Sequence, residues 1–462
     1  MINGIRCRAY PTPEQAQILS RWIGCARTIY NAKVAELKYF QTFSRKALGA
    51  APMPEVDQAY SHFKDRELTP YLYEVPSQIL RNAATQFMTA WQRHLKGLAS
   101  TPAFKAKGSR DSVILTNELF QFKRRQDGSF RLVLGTPRYP VGVLSFTAPA
   151  DFTEPKMICL RQKAGRWYIS FNFEDPKIVE PRSREEILSD LSYLSEEQLE
   201  AITFGGDRGI TDLLHGSNGV VFRLSEAEQK KIAKRERYKE NLQRKLSRQV
   251  KGSNRRRKTK NRIARVAEKQ ANVRKDIAHK ISHSLVNHTD CQVFAVEDLK
   301  VANMIKAPAP KVDEHGKFLP NGARAKAGLN RSILSSCWGQ IVSFIDYKAA
   351  RQNKVLIKVS PRFSSQTCSQ CGHTSADNRH KKAFRCIQCG FSSDADFNAS
   401  LVLQQRGVKY ILDGQWQQKK AKKSVSFRRK PGAGLPRISH VEGQSGQTTN
   451  APAKRGNPTC NL

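Results

Sequence analysis

Four cysteines constrain this chain more than any other feature. Cys368 and Cys371 form one C-x2-C knuckle, Cys386 and Cys389 a second, and each runs directly into a glycine, Gly372 and Gly390. Glycine suits the tight turn that brings two thiolates into one tetrahedral shell and aims backbone amides at their sulfurs. The spacing predicts a structural zinc ribbon. A shell of four thiolates has no open coordination position, so Zn2+ here folds a module and performs no chemistry. Disulfides or unpaired core thiols are the alternative, and the knuckle spacing argues against them. The other six cysteines follow no pattern, which fits buried thiols in a reducing compartment.

A few residues past the ribbon stands an acidic segment, Asp394-Ala-Asp396-Phe-Asn398-Ala. A closed zinc site cannot use these carboxylates, so they need an explanation from elsewhere in the chain. Two further acids stand at telling places. Ala201-Ile202-Thr203-Phe204-Gly205-Gly206-Asp207 ends an apolar strand in a carboxylate, and Val293-Phe294-Ala295-Val296 is a buried strand ending in Glu297. With Asp396 opening the helix after the ribbon, the three are far apart in sequence, and only a fold can gather them. Oxygen-rich clusters of this kind hold hard magnesium ions, and a pair of ions stabilises both the attacking and leaving oxygens of phosphodiester hydrolysis.

The charge points to the same chemistry. Lys and Arg number 79 against 40 Asp and Glu, a net +39, and a polyanion supplies the counter-charge that makes such self-repulsion tolerable. No apolar run reaches the length of a membrane span, and the first residues, Met-Ile-Asn-Gly-Ile-Arg, lack the layout of a signal peptide. We expect a cytoplasmic protein, nucleoid-associated when bound to DNA, with no membrane partner. Between Lys230 and Lys280 basic residues far outnumber the acids, with a knot at Arg255, Arg256, Arg257 and Lys258. Ile263, Val266, Val273, Ile277, Ile281 and Leu285 keep helical register beneath them, so one face packs and the other meets phosphate.

Periodicity supplies the outline. Residues 3 to 10 alternate as a strand, and Thr12-Pro13-Glu14-Gln15 is a capping box that starts a mostly helical stretch to about 100. From about 112 the period changes to two, with Asp127-Gly128 and Ala164-Gly165 turns, which predicts a small antiparallel barrel completed by the first strand. After a linker and a short acidic helix the pattern becomes α/β: a strand from 213 to 223 broken at Gly216 to Gly219, long helices over 225–288, a mobile loop over 303–329, a helix over 332–350 and a strand at 355–359. The tail from 414 is basic, aperiodic and expected to be disordered.

Several segments together resemble the RuvC-like nuclease of the TnpB family, transposon-encoded RNA-guided DNA endonucleases related to type V CRISPR effectors. They are Phe204-Gly-Gly-Asp207-Arg-Gly-Ile210, Val296-Glu297-Asp298-Leu299, Arg362 through Cys368, Cys371 and His373, and Asp394-Ala-Asp396-Phe-Asn398-Ala399. Tyr10-Pro11-Thr12, Gly24 to Asn31, Pro102 to Lys105 and Trp338 to Lys348 extend the likeness over residues 1 to about 411. The resemblance implies an α+β multidomain chain. A small β-barrel (strand 1–10 and residues 106–198 with linker) carries a helical recognition insertion (11–105). An RNase H-like RuvC domain follows (199–361 and 394–413), with the zinc ribbon (362–393) inserted in it and the basic tail (414–462) after it. It selects Asp207, Glu297 and Asp396, over Asp298 and Asp394, as catalytic ligands of two Mg2+ ions. It further implies a guide RNA and a double-stranded DNA target. Flanking-motif reading falls in the insertion and barrel, where Ser77, Gln78 and Gln86 are the candidate base contacts, with Tyr30 and Lys105 as further nucleic-acid contacts. The first motif departs from many relatives in having Gly206 before the Asp and Arg208 after it. Three other readings share the scaffold: a nuclease-inactive RNA-guided repressor, a compact CRISPR effector, and a recombinase, since RNase H folds host strand rejoining too.

Overall fold

The computed structural model describes residues 2–46, 56–108, 111–124, 130–147, 152–175 and 180–417. The first segment is β1 (Ile2–Tyr10), followed by the 34-residue helix α1 (Pro13–Lys46). The capping box is in place: Gln15 N–H donates to the Thr12 hydroxyl at 3.3 Å, and Thr12 N–H donates to Gln15 Oε1 at 3.1 Å. Leu19, Trp22, Ile23 and Ile29 bury one face of α1, and α2 (Ser77–Leu95) buries Ile79, Leu80, Ala83 and Phe87.

Next come β2 (Ser112–Thr116), β3 (Phe120–Arg124), β4 (Phe130–Thr136), β5 (Tyr139–Thr147), β6 (Met157–Lys163) and β7 (Arg166–Glu174). With β1 they form an antiparallel sheet in the order β2-β6-β7-β1-β5-β4-β3. The first strand does complete this unit, pairing with β7 along Ile2↔Glu174 to Ala9↔Trp167 and with β5 at Arg8↔Thr147. The sheet does not close. Among the described residues no ladder joins β2 to β3; a single 3-10 turn, Asn117–Leu119, carries the chain between the two edges instead of hydrogen bonds. The expected barrel is therefore an open, curved sheet, its hollow filled by phenylalanines. Phe122 packs on Phe120, Phe130, Phe146, Phe152 and Phe171 at centroid separations of 5.1 to 6.4 Å. Ala164 and Gly165 make the β6–β7 turn with φ of 51° and 72°, the all-positive pattern of a two-residue hairpin. The Asp127-Gly128 turn lies outside the described residues.

Two short helices with serine capping boxes, α3 (Arg184–Leu191) and α4 (Glu196–Ile202), lead into the second half. There β8 (Thr203–Asp207), β9 (Asp212–Gly216) and β10 (Val221–Arg223) form a meander, and the helices α5 (Glu226–Ser247) and α6 (Asn254–Asn287) follow. After β11 (Val293–Glu297) come α7 (Val301–Met304), the small hairpin β12 (Lys311–Val312) and β13 (Phe318–Leu319), α8 (Ala323–Ser335), α9 (Trp338–Ala350) and β14 (Val355–Val359). The stretch expected to be a mobile loop, 303–329, thus holds a hairpin and the start of α8. The helix expected over 332–350 is two, broken at Cys337, whose φ is 49°. The sheet order is β10-β9-β8-β11-β14, with β8, β11 and β14 parallel. Phe204, Phe294, Val296 and Leu356 pack toward α6 and α9, while Val293, Ala295, Val355 and Ile357 pack with α3 and the last helix, so both faces are covered.

The ribbon strands β15 (Arg379–His380), β16 (Ala383–Arg385) and β17 (Ser392–Asp394) precede that last helix, α10 (Ala395–Leu412). Helix α10 lies on β8 at backbone distance. A Cβ added at Gly205 would sit 2.0 Å from the Ser400 carbonyl oxygen, and one at Gly407 would sit 2.6 Å from the Ala295 Cβ. The two sheets are tied together by Glu268 of α6, 4% exposed, which accepts from the Tyr168 hydroxyl at 3.0 Å and lies 3.8 Å from Arg6 and 3.9 Å from Lys163. No described helix is long and apolar enough to cross a membrane. From residue 418 onward the basic tail lies outside the described residues.

Candidate active site

Strands β8 and β11 pair in parallel with Gly206 opposite Val296. The next residue on each, Asp207 and Glu297, therefore emerges side by side at the carboxyl ends of neighbouring strands, the edge where open α/β sheets bind ligands. Helix α10 brings the third carboxylate, because its close seat on Gly205 carries its first turn to that edge. Asp394 caps the helix, its Oδ1 accepting from the amides of Asp396 at 2.9 Å and Phe397 at 3.1 Å. Asp396 is left to face the cluster. Asp298, beside Glu297, pairs with Lys300 at 2.5 Å.

Charge at this edge is unbalanced. Burial, reinforced by the negative Glu297 and Asp396, pushes the Asp207 carboxyl up to about 7. Burial also raises Glu297, against the pull of Arg208. Three cations stand around the acids. Arg208, 8% exposed, donates to the main-chain oxygen of Glu297. Arg406 donates to the Ser360 carbonyl at 2.7 Å and acts on Glu297 through its charge. Arg379 reaches across from β15 of the ribbon to Asp396 Oδ1 at 3.0 Å. Of these, the sequence marks Arg208 alone, as a departure in the first motif, with no role attached. Arg208 was visible beside Asp207, but nothing local marks Arg379 or Arg406.

The four cysteine sulfurs gather as a zinc ribbon requires. Their ligand atoms all lie within 4.8 Å of one another, and among the described residues no other group of three or more His, Cys, Asp or Glu is so tight. Gly372 and Gly390 share a φ of 76°, and their amides donate to Cys368 and Cys386 carbonyls, each at 3.0 Å. Amides of Gln370 and Cys371 point at the Cys368 sulfur, and those of Gln388 and Cys389 at Cys386. Asn398, fully buried, locks the module to α10: its side chain donates to the Thr367 carbonyl at 2.7 Å and accepts from Ser369 N–H at 3.0 Å.

The residues expected to meet nucleic acid divide into two kinds. Arg255, Arg257 and Lys258 are exposed at the start of α6. Arg256 turns inward and donates to the carbonyls of Leu246 and Gln249, closing the end of α5. Tyr30, Gln86 and Lys105 are brought together: Lys105 Nζ lies 3.6 Å over the Tyr30 ring and 3.2 Å from Gln86 Oε1, while Tyr30 is 7% exposed. This trio joins α1, α2 and the following segment. Ser77 is exposed and Gln78 half-buried in the first turn of α2.

Residues 194–307 match the family model OrfB_IS605, described as "Probable transposase", and residues 338–403 match "Cas12f1-like, TNB domain". A "Helix-turn-helix domain" model, HTH_OrfB_IS605, matches residues 1–40, which here form one strand and most of one long helix. The chain is 30% identical over 423 residues to "Putative RNA-guided DNA endonuclease InsQ" of Escherichia coli (strain K12), covering 90% of this chain and 94% of that one. It is 27% identical over 446 residues to "Putative RNA-guided DNA endonuclease" of Streptomyces pristinaespiralis, covering 94% and 98%. In fold it is similar to a solved chain from the "Cas12f1-sgRNA-target DNA complex", with a TM-score of 0.52 at 13% identity over 87% of this chain and 98% of that one.

Proposed function

The chain belongs to the TnpB family of transposon-encoded, RNA-guided DNA endonucleases, and from that premise we propose that it cleaves DNA at a RuvC-type, RNase H-like site made by Asp207, Glu297 and Asp396. The observation that carries this reading is the delivery of three acids to one sheet edge, two from neighbouring parallel strands and one from the first turn of α10, with an Asp207 carboxyl pushed up to about 7 by burial and by the negative Glu297 and Asp396. A cluster so loaded with negative charge fits hard divalent cations. When bound there, two magnesium ions supply the positive charge that activates water and neutralises the leaving oxygen. The chain's own residues do the positioning. Arg208 fixes the main chain at Glu297, Asp394 holds the helix turn that presents Asp396, and the ribbon, folded by one zinc, brings Arg379 to the same carboxylate.

Target choice falls to the guide RNA, whose A-form pairing with DNA is held through its backbone by the basic helices, while the protein reads a short flanking motif. We assign the curved sheet (1–10 and 106–198) and helical insertion (11–105) to that reading, residues 199–361 and 394–413 to the nuclease, 362–393 to the ribbon and 414–462 to a basic tail. All three carboxylates are present, which favours an active nuclease over a retired one used as a repressor. The test is cleavage of a plasmid bearing a target matched to the RNA that co-purifies with the protein, with magnesium, with chelator, and with Asp207→Ala. Cleavage only by the wild-type chain with metal and matched RNA supports the proposal; equal cleavage by Asp207→Ala overturns the site.

A further inference from the structure

Between α5 and α6 lies a cleft of about 450 Å3, lined by Lys231, Lys234, Arg235 and Tyr238 of α5 and by Val266 and Lys269 of α6. The four α5 residues are spaced i, i+3, i+4 and i+7, so they form one stripe along the helix. An amphipathic helix packing on a neighbour would place apolar residues on such a stripe; here it carries three cations and an aromatic ring. Beside the cleft the helices are joined by a polar set, Gln270 of α6 donating to Glu236 Oε2 at 2.6 Å and Lys239 donating to Glu236 Oε1 at 2.8 Å, and one turn past Tyr238 the same stripe becomes apolar at buried Leu242. Among the described residues, Lys231, Lys234, Arg235 and Lys269 take part in no ion pair. Tyr238 is 50% exposed, its ring open to the cleft.

The geometry points to a pocket for one unpaired nucleotide of the bound RNA, its base stacked on Tyr238 and against Val266, its flanking phosphates paired with Lys231, Lys234, Arg235 and Lys269. This rests on the RNA-guided reading and refines it. The volume falls within the range of about 300–1,000 Å3 usual for small-ligand sites, so the cleft admits a splayed-out base. A paired stretch would use the cations but leave the ring and Val266 without a purpose, because only an unstacked base offers its π-face. No residue of this pocket belongs to the carboxylate site.

The test is direct binding of full-length protein, stripped of its RNA, to a polyadenylate strand and to its duplex with polyuridylate. The proposal expects Tyr238→Ala to weaken single-strand binding by about 5- to 150-fold, the span of one base stack, with duplex binding unchanged and Tyr238→Phe restoring the single-strand affinity. A 2-aminopurine placed in the strand should be quenched by wild type and by Tyr238→Phe, and not by Tyr238→Ala. Equal loss on strand and duplex would reduce the cleft to a plain phosphate-binding surface and overturn the proposal. So would tighter binding of polydeoxyadenylate than of polyadenylate, or polyglutamate binding with the same dependence on Tyr238. Wild-type protein that cuts DNA yet binds no RNA would instead overturn the proposed function.

Discussion

Asp207 has to serve two states of the site. Without metal its carboxyl is pushed up to about 7 by burial and by Glu297 and Asp396; to bind metal it must give up that proton. A folded carboxyl raised above its ordinary value holds an extra proton between about pH 4 and 7, so the stability it contributes is present below that window and lost as pH rises through 7. Asp207→Asn should therefore stabilise metal-free protein at about pH 8 by on the order of 2–4 kcal/mol, seen as a higher melting temperature, and the gain should vanish toward pH 4. Calorimetry across pH checks this, and a flat difference would show that repulsion is not the cause. Cleavage should fall as pH drops below 7, where metal competes with the proton. Alanine at Asp207, Glu297 or Asp396 should cost more than the ~10–100-fold typical of groups behind the ligands. Asp298→Asn and Asp394→Asn should be far milder, since Asp298 faces Lys300 and asparagine caps a helix about as well as aspartate.

The elements behave as levers that carry these residues into place, and they fail in separable ways. Cys368→Ser or Cys386→Ser should lower zinc content below one per chain and cut activity, because Arg379 rides on the ribbon to reach Asp396; metal analysis beside a cleavage assay decides it. Gly205→Ala should spare the zinc and still cost about 1–3 kcal/mol, since the added methyl meets backbone of α10 that has nowhere to move. What the sequence made legible follows the same division. Strands ending in Asp207 and Glu297, the cysteine knuckles and the Thr12 cap are local patterns, and each stands where periodicity and spacing put it. The open edge between β2 and β3, the inward turn of Arg256 and the burial of Tyr30 beneath Lys105 depend on partners distant in sequence, and a basic or aromatic residue reads the same locally whether it faces phosphate or protein. The break at Cys337 was hidden because the residues around it keep helical composition across the kink.

At the scale of the whole molecule the net charge of +39 must find its counter-charge in a partner, and binding should weaken steeply with salt as counterions are released. Neutralising the exposed Arg255, Arg257 and Lys258 while keeping Arg256, which closes α5, should flatten the slope of log affinity against log salt by about 0.9 for each duplex phosphate that is no longer neutralised, leaving the preferred target unchanged. Lysine and arginine paired with phosphates position a nucleic acid and carry no base information. Choice must then come from pairing with the guide, and this separates an RNA-guided nuclease from a recombinase that reads DNA itself. Replacing the guide segment of the bound RNA, with the flanking DNA motif held constant, should move cleavage wholly from the old target to the new one. Sequencing the ends of cut plasmids from a mixture of both targets measures it. Continued cutting of the old sequence, or equal cutting with no RNA present, would place target choice in the protein and sink the guided reading, while leaving the carboxylate site as the place where strands are cut.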